Sequence, residues 1–156
     1  MLEIQFPGKP VMQINSVLCD INGTLSLDGQ LLEGVSSAVA KLKNSLTFYL
    51  LSANTAGTAA EIANVLGVDL KVIQPGHEAR QKELFLSSLG AGRTIAIGQG
   101  ANDELILKKA AIGICVLSQE GTSVKALNAA DIVVPNILTA FELIQKPTRI
   151  VATLRQ

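Results

Sequence analysis

A carboxylate that follows a short apolar run is the first residue of the chain whose type and position could do chemistry. Residues 15–20 are typical of a buried strand that ends at Asp20, and Asn22-Gly23 directly after it signal a sharp turn. In open α/β sheets, ligands bind at the carboxyl ends of the strands. The backbone N–H groups of such a turn can bind an anion. The segment therefore indicates either an anion site built around Asp20 or an aspartate that only caps a turn.

Two more charged side chains lie on helix faces that are otherwise apolar. Lys82 shares the apolar face of a helix predicted over 77–89, and Asp103 does the same in a helix predicted over 102–111. A solvated charge would avoid such a face, so both side chains are expected to reach the carboxyl edge of the sheet. The alternatives are a lysine that snorkels from the helix end and an aspartate that only caps its helix. Arg80, on another face, is the lesser candidate.

Other polar residues give weaker signals. Ser52 closes a buried strand and would supply a hydroxyl and nearby backbone N–H groups, although serine is also a common helix cap. Gly98 and Gly100 let the backbone approach a ligand closely. A dinucleotide fingerprint is disfavoured because Asp103 occupies its third glycine position. His77 has no visible partner for acid–base chemistry and is expected at the surface.

Two segments resemble motifs of a known family. Asp20-Ile21-Asn22-Gly23-Thr24 resembles the first motif of the haloacid dehalogenase (HAD) phosphohydrolase superfamily, Asp-x-Asp-Gly-Thr. Residues 98–103 resemble the Gly-Asp-Gly-x-Asn-Asp motif of P-type ATPases and related phosphatases. The soluble P-type-ATPase-like members of the superfamily are the nearest likeness, and four motifs in order, from residue 20 to residue 103, carry it. Asn22 and Gln99 depart from the pattern, because each stands where the family has an aspartate.

The resemblance implies an enzyme that forms an aspartyl-phosphate, with Asp20 attacking phosphorus and Mg²⁺ bridging it to a small phosphorylated substrate. The implied catalytic residues are Asp20, Asn22, Ser52 and Lys82. The implied substrate-binding residues are Gly23, Thr24, Ala53, Asn54 and Asn102. The implied metal-binding residues are Asp20, Asn22 through its backbone carbonyl, Gln99 in place of a carboxylate, and Asp103 directly or through water.

The two departures predict weak chemistry. Gln99 removes one negative charge, so Mg²⁺ should bind weakly, and the Asn22 amide cannot act as a general acid or base. We therefore expect slow phosphatase or phosphotransferase activity. The alternative is a catalytically weakened domain of the same fold that binds a phosphate ligand or a protein partner. A response-regulator-like phosphoacceptor is a more remote option.

Strand and helix patterns alternate along the chain and would position these residues. Strands are predicted over 15–20, 47–51, 70–73, 94–97, 112–117 and 132–134, with a weak edge strand in 2–6. Helices are predicted over 35–46, 56–66, 77–89, 102–111, 122–129 and 136–145. This alternation predicts one α/β domain over 1–156, with a doubly wound, Rossmann-like, mostly parallel sheet of five or six strands. The strand ending at Asp20 is expected at the centre, and no interval has room for a cap domain.

A small flap is predicted over residues 24–34, because Asp28-Gly29 lies between apolar pairs and is a strong hairpin signal. Its leucines are numerous for a short exposed hairpin: Leu25, Leu27, Leu31 and Leu32. Exposed apolar patches often mark interfaces. We therefore predict a homo-oligomer packed through the flap.

Composition limits the classes of partner. The chain of 156 residues has 13 basic and 13 acidic side chains and 3 % aromatic residues, which disfavours a nucleic-acid-binding surface. No signal-peptide pattern or apolar run of the ~20 residues needed to span a bilayer is present. Cys19 and Cys115 lie inside apolar runs, a pattern of buried thiols in a reducing compartment. We expect a cytoplasmic protein without a membrane partner.

Overall fold

The strand that ends at Asp20 lies inside a six-stranded sheet in which every described pairing is parallel. The computed structural model describes residues 1–53 and 57–156. The strands in this part of the chain are β1 (Leu2–Ile4), β2 (Met12–Ile14), β3 (Ser16–Asp20), β4 (Ser26–Leu27), β5 (Gln30–Leu31), β6 (Thr47–Ser52), β7 (Asp69–Val72), β8 (Thr94–Gly98), β9 (Ile112–Val116) and β10 (Ile132–Val134). The order across the large sheet is β10-β9-β8-β3-β6-β7. The predicted α/β fold with Asp20 on a central strand is confirmed.

Helices cover both faces of this sheet. They are α1 (Val35–Leu42), α2 (Thr58–Leu66), α3 (Glu78–Leu89), α4 (Glu104–Lys109), α5 (Val124–Ala129), α6 (Ile137–Gln145) and α7 (Pro147–Leu154). Alternate residues of β3 point into two separate cores: Val17 and Cys19 into one, Leu18 into the other. The first core packs under α1, α2, α6 and α7, and the second under α3, α4 and α5. Because β3 is buried on both faces, its sequence is apolar without alternation.

The predicted flap is present as the antiparallel pair β4–β5. Asp28 and Gly29 between these strands have φ angles of 50° and 79°, the positive values that a two-residue type I′ turn requires. Leu25 is wholly buried in the first core, and Leu31 and Leu32 pack against that core half-buried. The leucines that suggested a homo-oligomer are thus largely packed within the chain itself.

Several element boundaries differ from the sequence predictions. Helix α1 ends at Leu42 rather than at residue 46, and the following residues form turns, with the Leu46 N–H bonded to the Leu42 carbonyl. Asn44 and Ser45 favour such turns over a helix. The segment predicted as a helix over 102–111 begins as a 3₁₀ turn at Ala101–Asp103, and α4 follows only over Glu104–Lys109.

The two chain ends also differ from the prediction. Residues 2–6 do not form an edge strand of the large sheet; β1 pairs antiparallel with β2 in a separate two-stranded sheet. Helix α7 was not predicted. It starts with Pro147, which the first helical position tolerates because its N–H would have no partner there, and it buries Ile150.

Two further features concern the helices and the cysteines. Within residues 1–53 and 57–156, no helix combines the length and apolar character that crossing a membrane requires. Cys19 and Cys115 are free, buried thiols. Since they belong to the cores on opposite faces of the sheet, they cannot form a disulfide with each other.

Candidate active site

Asp20, Lys82 and Asp103 meet at the carboxyl edge of the sheet. The Lys82 ammonium donates hydrogen bonds to Asp20 Oδ1 at 2.8 Å and to Asp103 Oδ1 at 2.7 Å. A third bond runs from Lys82 Nζ to Asn102 Oδ1 at 3.1 Å. Lys82 and Asp103 are fully buried and Asp20 is 8 % exposed. A lysine buried to this degree is tolerated only with such partners, so these contacts define the centre of the site.

The elements around this centre explain its geometry. Asp20 is the last residue of β3, and Lys82 and Leu86 lie one turn apart on the buried face of α3. Asp103 follows β8 and its Oδ2 accepts the backbone N–H groups of Gln99 and Gly100, both at 3.0 Å.

A glycine at the end of β8 makes room for Asp103. A β-carbon added to Gly98 would lie 2.5 Å from Asp103 Cγ. Only a residue without a side chain therefore lets this carboxylate lie against the strand end. The glycine predicted for close ligand approach instead accommodates a side chain of the site.

Burial and charge set the protonation of the cluster. Burial raises the pKa of Asp20, the nearby Asp103 carboxylate raises it further, and Lys82 and Thr24 oppose the rise, which leaves the pKa at about 7. Burial alone would lower the pKa of Lys82, but Asp20 and Asp103 outweigh it and the pKa is raised. Lys82 is therefore a permanent cation at physiological pH. It can neutralise an anion that approaches Asp20.

The backbone N–H groups in the turn after Asp20 form hydrogen bonds within the turn itself. The Gly23 N–H donates to the Ser26 carbonyl at 2.9 Å and the Thr24 N–H to the Ile21 carbonyl at 3.0 Å. These two N–H groups are thus not free for an anion, contrary to the expectation of free N–H groups in the turn at Asn22-Gly23. The Thr24 hydroxyl instead donates to Asp20 Oδ2 at 3.4 Å and orients the carboxylate.

The remaining predicted residues are distributed around the edge. Ser52 is fully buried at the end of β6, the strand next to β3. Ala53 is exposed, and Asn54 lies outside the described residues. His77 is exposed as expected, and Arg80 pairs with Glu83 at the surface of α3. The structure therefore separates Arg80 from the cluster.

The sequence analysis predicted that Gln99 binds the metal. In the structure, its side chain lies over the turn that follows Asp20. Its Nε2 donates to the Asn22 carbonyl at 3.4 Å. A β-carbon on Gly23 would lie 2.0 Å from Gln99 Nε2 and 3.1 Å from Glu120 Oε2. The sequence analysis did not identify Glu120. It could have been found as an acidic residue just after the strand predicted over 112–117, whose end lies at the same edge of the sheet.

The donors at this edge suit an oxygen-liganded cation such as Mg²⁺. Asp20 Oδ2 accepts a hydrogen bond from the Thr24 hydroxyl and the Asn22 carbonyl accepts one from Gln99 Nε2, so the Gln99 amide would have to turn its oxygen toward a bound ion. Both oxygens of Asp103 already accept hydrogen bonds from protein groups, so direct ligation by Asp103 requires rearrangement. No group of three or more His, Cys, Asp or Glu side chains arranged for a metal occurs among residues 1–53 and 57–156. A cation here would therefore combine one or two carboxylates with carbonyl or amide oxygens.

Sequence comparisons relate the chain to archaeal proteins. No protein-family model matches it. It is 48 % identical over 63 residues to an uncharacterised protein of Methanocaldococcus jannaschii, a match that covers 40 % of this chain and 68 % of that protein. It is 25 % identical over 147 residues to a soluble P-type ATPase-like phosphatase of the same organism, covering 92 % of this chain and 54 % of the relative. The chain thus spans about half the length of that phosphatase.

Solved structures share the fold over nearly the whole chain. The cobalt-bound deoxy-D-mannose-octulosonate 8-phosphate phosphatase from Haemophilus influenzae superposes with a TM-score of 0.73 at 16 % identity, covering 93 % of this chain and 95 % of that one. A 3-deoxy-D-manno-octulosonate 8-phosphate phosphatase from Moraxella catarrhalis, solved with magnesium, phosphate and the sugar acid, gives 0.67 at 18 % identity, covering 92 % and 95 %. The chain therefore has the fold of these phosphatases and is similar in sequence to a soluble P-type ATPase-like phosphatase, which supports its resemblance to the haloacid dehalogenase superfamily.

Proposed function

We propose that this protein is a Mg²⁺-dependent phosphohydrolase or phosphotransferase that forms an aspartyl-phosphate on Asp20. The observation that carries the proposal is the buried contact between Asp20 and Lys82 at the end of the central strand. A carboxylate beside a fixed cation is suited to attack on an anionic phosphoryl group. The phosphatase relative and the phosphatase fold support a small phosphorylated substrate.

The chain's own residues account for the first half of the reaction. As a bond forms between an Asp20 oxygen and phosphorus, the bond from phosphorus to the leaving oxygen breaks in line. Lys82 compensates the negative charge on the phosphoryl oxygens, and Thr24 orients the attacking carboxylate. The leaving oxygen takes its proton from solvent, because the Asn22 amide has no acidic proton to give.

A cation site supports the same chemistry. Asp20 and the Asn22 carbonyl would hold Mg²⁺, with Gln99 through its amide oxygen and Asp103 through water as further donors. When bound, such an ion supplies charge neutralisation at the phosphoryl oxygens. Because Gln99 is neutral, the proposed affinity is weak. The magnesium and phosphate in the Moraxella catarrhalis phosphatase structure support the choice of ion.

The proposed activity is slow, and phospho-enzyme should accumulate. General acid–base help is worth about 10²–10⁴ in rate, and Asn22 cannot provide it to the water that hydrolyses the acyl phosphate. We expect intact mass spectrometry to detect phospho-Asp20 after incubation with acetyl phosphate or p-nitrophenyl phosphate in millimolar Mg²⁺. Asp20→Asn is the matched control and should show neither phospho-enzyme nor phosphate release.

Restoring the two aspartates tests the reason for slow turnover. Asn22→Asp together with Gln99→Asp should raise phosphate release by about 10²-fold or more, because an acid–base group and a metal-binding charge are returned. A parent protein that shows no phospho-Asp and no phosphate release above the Asp20→Asn control would contradict the enzyme proposal.

A second candidate function is a weakened domain that binds a phosphate ligand or a protein partner. The contact from Gln99 Nε2 to the Asn22 carbonyl favours it, because the oxygen proposed to hold the cation already accepts a hydrogen bond. This alternative requires binding of inorganic phosphate or a phosphorylated ligand without turnover and without dependence on Asp20. Phosphate titration of the parent and of Asp20→Asn by calorimetry distinguishes the two.

Two further proposals concern location and self-association. The buried free thiols of Cys19 and Cys115 support the reducing cytoplasm as the working compartment. A homo-oligomer through the flap stays a prediction. Light scattering at micromolar concentration tests it, and a monomer would contradict it.

A further inference from the structure

A loop outside the four motifs brings a carboxylate to the turn after Asp20. Glu120 lies in the segment between β9 and α5, and its Oε2 reaches the same face of Gly23 as the end of the Gln99 side chain. Gly23 has a φ of 75°, and a β-carbon there would collide with the Gln99 amide. The two side chains therefore occupy space that only a glycine leaves open.

Hydrogen bonds fix this loop in position. The Ser123 N–H donates to the Gln99 backbone carbonyl at 2.8 Å, which ties the end of the loop to the residue after β8. Within the loop, the Thr122 hydroxyl donates to the Val116 carbonyl at 2.9 Å and accepts the Ser118 N–H at 2.9 Å. The Glu120 N–H donates to Ser118 Oγ at 3.0 Å. These bonds hold the backbone of residue 120 close to Gln99, while the Glu120 side chain itself is exposed.

The charges of the cluster are compatible with one more carboxylate beside a divalent cation. With both aspartates ionised, Asp20, Asp103 and Lys82 carry one net negative charge. Both oxygens of Asp103 accept hydrogen bonds from Lys82 and from backbone N–H groups. Asp20 is then the one cluster carboxylate whose second oxygen, weakly bonded to Thr24, can turn to a cation. Protein Mg²⁺ sites usually use one or two carboxylates.

We propose that Glu120 supplies the carboxylate that Gln99 lacks, and that it completes a divalent-cation site with Asp20 and the backbone carbonyl of Asn22. The exposed Glu120 side chain is free to turn toward the ion, as a direct ligand or through a bound water. The second carboxylate of the site would then come from the loop after β9 instead of the end of β8. This inference rests on the proposed function, because the ion is the one that serves the phosphoryl site.

Calorimetric titration with MgCl₂ tests the inference without any substrate. We expect Glu120→Gln to weaken Mg²⁺ binding by about 10-fold or more, the size of effect known for residues that support metal sites. The matched control is Glu3→Gln, which removes another exposed carboxylate, from β1 in the separate two-stranded sheet. Glu3→Gln should bind as the parent does. In Gln99→Asp/Glu120→Gln the carboxylate returns to position 99, and affinity should recover.

The outcomes separate this inference from the proposed function. If Asp20→Ala abolishes Mg²⁺ binding while Glu120→Gln binds like the parent, the cation site stands and the role of Glu120 is overturned. Equal weakening by Glu120→Gln and Glu3→Gln would show a general effect of surface charge and also overturn it. A parent that binds no Mg²⁺ at millimolar concentration overturns both. Circular dichroism and the Mg²⁺-induced shift in melting temperature identify any variant that fails to fold.

Discussion

Lys82 joins the side chains of Asp20, Asn102 and Asp103 while its own side chain is wholly buried. Each bond compensates part of the desolvation of the ammonium group. The same arrangement holds two carboxylates close together that would otherwise repel. We therefore expect Lys82 to be needed for the stability of the site as well as for the proposed chemistry.

Lys82→Met should destabilise the protein strongly. Removing one partner of a buried ion pair typically costs about 3–5 kcal/mol, because an uncompensated charge stays behind. We expect a loss of that order in the free energy of unfolding, measured by urea denaturation at pH 7. Lys108→Met, at an exposed position of α4, is the control and should change it by less than about 0.5 kcal/mol. If Lys82→Met and Lys108→Met unfold at the same urea concentration, the buried contacts carry no net stability.

The two thiols should be unreactive in the folded protein. Burial, and then the carboxylates of Asp20 and Asp103, raise the pKa of Cys19 well above its usual value, and burial raises that of Cys115 to about 11. At pH 8 the reactive thiolate is therefore scarce as well as inaccessible. We expect almost no reaction with Ellman's reagent in buffer and two equivalents in denaturant. Rapid labelling of the native protein would show that one of the two cores opens readily.

At the scale of elements, the site depends on how β8 runs into the turn before α4. Asp103 occupies the space that a side chain at residue 98 would need, and its Oδ2 accepts hydrogen bonds from the N–H groups of Gln99 and Gly100. Asp103 thus satisfies backbone N–H groups just before the helix. The chain passes through a 3₁₀ turn at Ala101–Asp103, and α4 begins at Glu104.

Gly98→Ala should disturb both stability and the site. The added methyl group would lie 2.5 Å from Asp103 Cγ, and overpacking of this kind typically costs about 1–3 kcal/mol. Gly92→Ala is the control, because a β-carbon there meets no atom within 4 Å. We expect chemical denaturation to show a loss for Gly98→Ala and little change for Gly92→Ala. Equal stabilities of Gly98→Ala and Gly92→Ala would mean that the turn can accommodate a methyl group at residue 98.

At the scale of the whole molecule, the two chain ends form a layer on one side of the sheet. Helix α7 packs on β1, and Ile150 of α7 is fully buried in the same core as Ile4 and Ile14. Strand β2 leads into the start of β3, whereas the Asp20 cluster lies at the opposite, carboxyl end of β3. The terminal layer therefore stabilises the domain without contributing residues to the site.

Ile150→Ala tests whether this layer and the sheet fold as one unit. Truncating a buried isoleucine costs about 2–5 kcal/mol, whereas Val65→Ala, at a position that is 66 % exposed, should cost less than about 0.5 kcal/mol. We expect Ile150→Ala to move one cooperative transition to lower denaturant, with far-ultraviolet circular dichroism and Tyr49 fluorescence in agreement. Two separate transitions would show that residues 1–156 do not form a single cooperative domain.

The sequence alone was sufficient to predict the alternation of strands and helices and the polar residues at the strand ends. Apolar runs closed by turn signals predicted the strand that ends at Asp20, and the apolar faces around Lys82 and Asp103 predicted that these charges point inward. Local pattern carries this information because burial of a strand or a helix face selects apolar residues at fixed spacing. The hairpin at Asp28-Gly29 was equally readable, since its positive φ angles restrict which residues can form it.

Tertiary structure decided what those residues contact. The pairing of Lys82 with both aspartates, the internal bonds of the turn at Gly23 and the approach of Glu120 to Gln99 join residues from separate elements. No local pattern encodes such contacts, because they depend on strand order and on how each loop is anchored. Helix α7 escaped prediction for the same reason: a short segment after a proline becomes helical mainly because it can bury Ile150 against the rest of the chain.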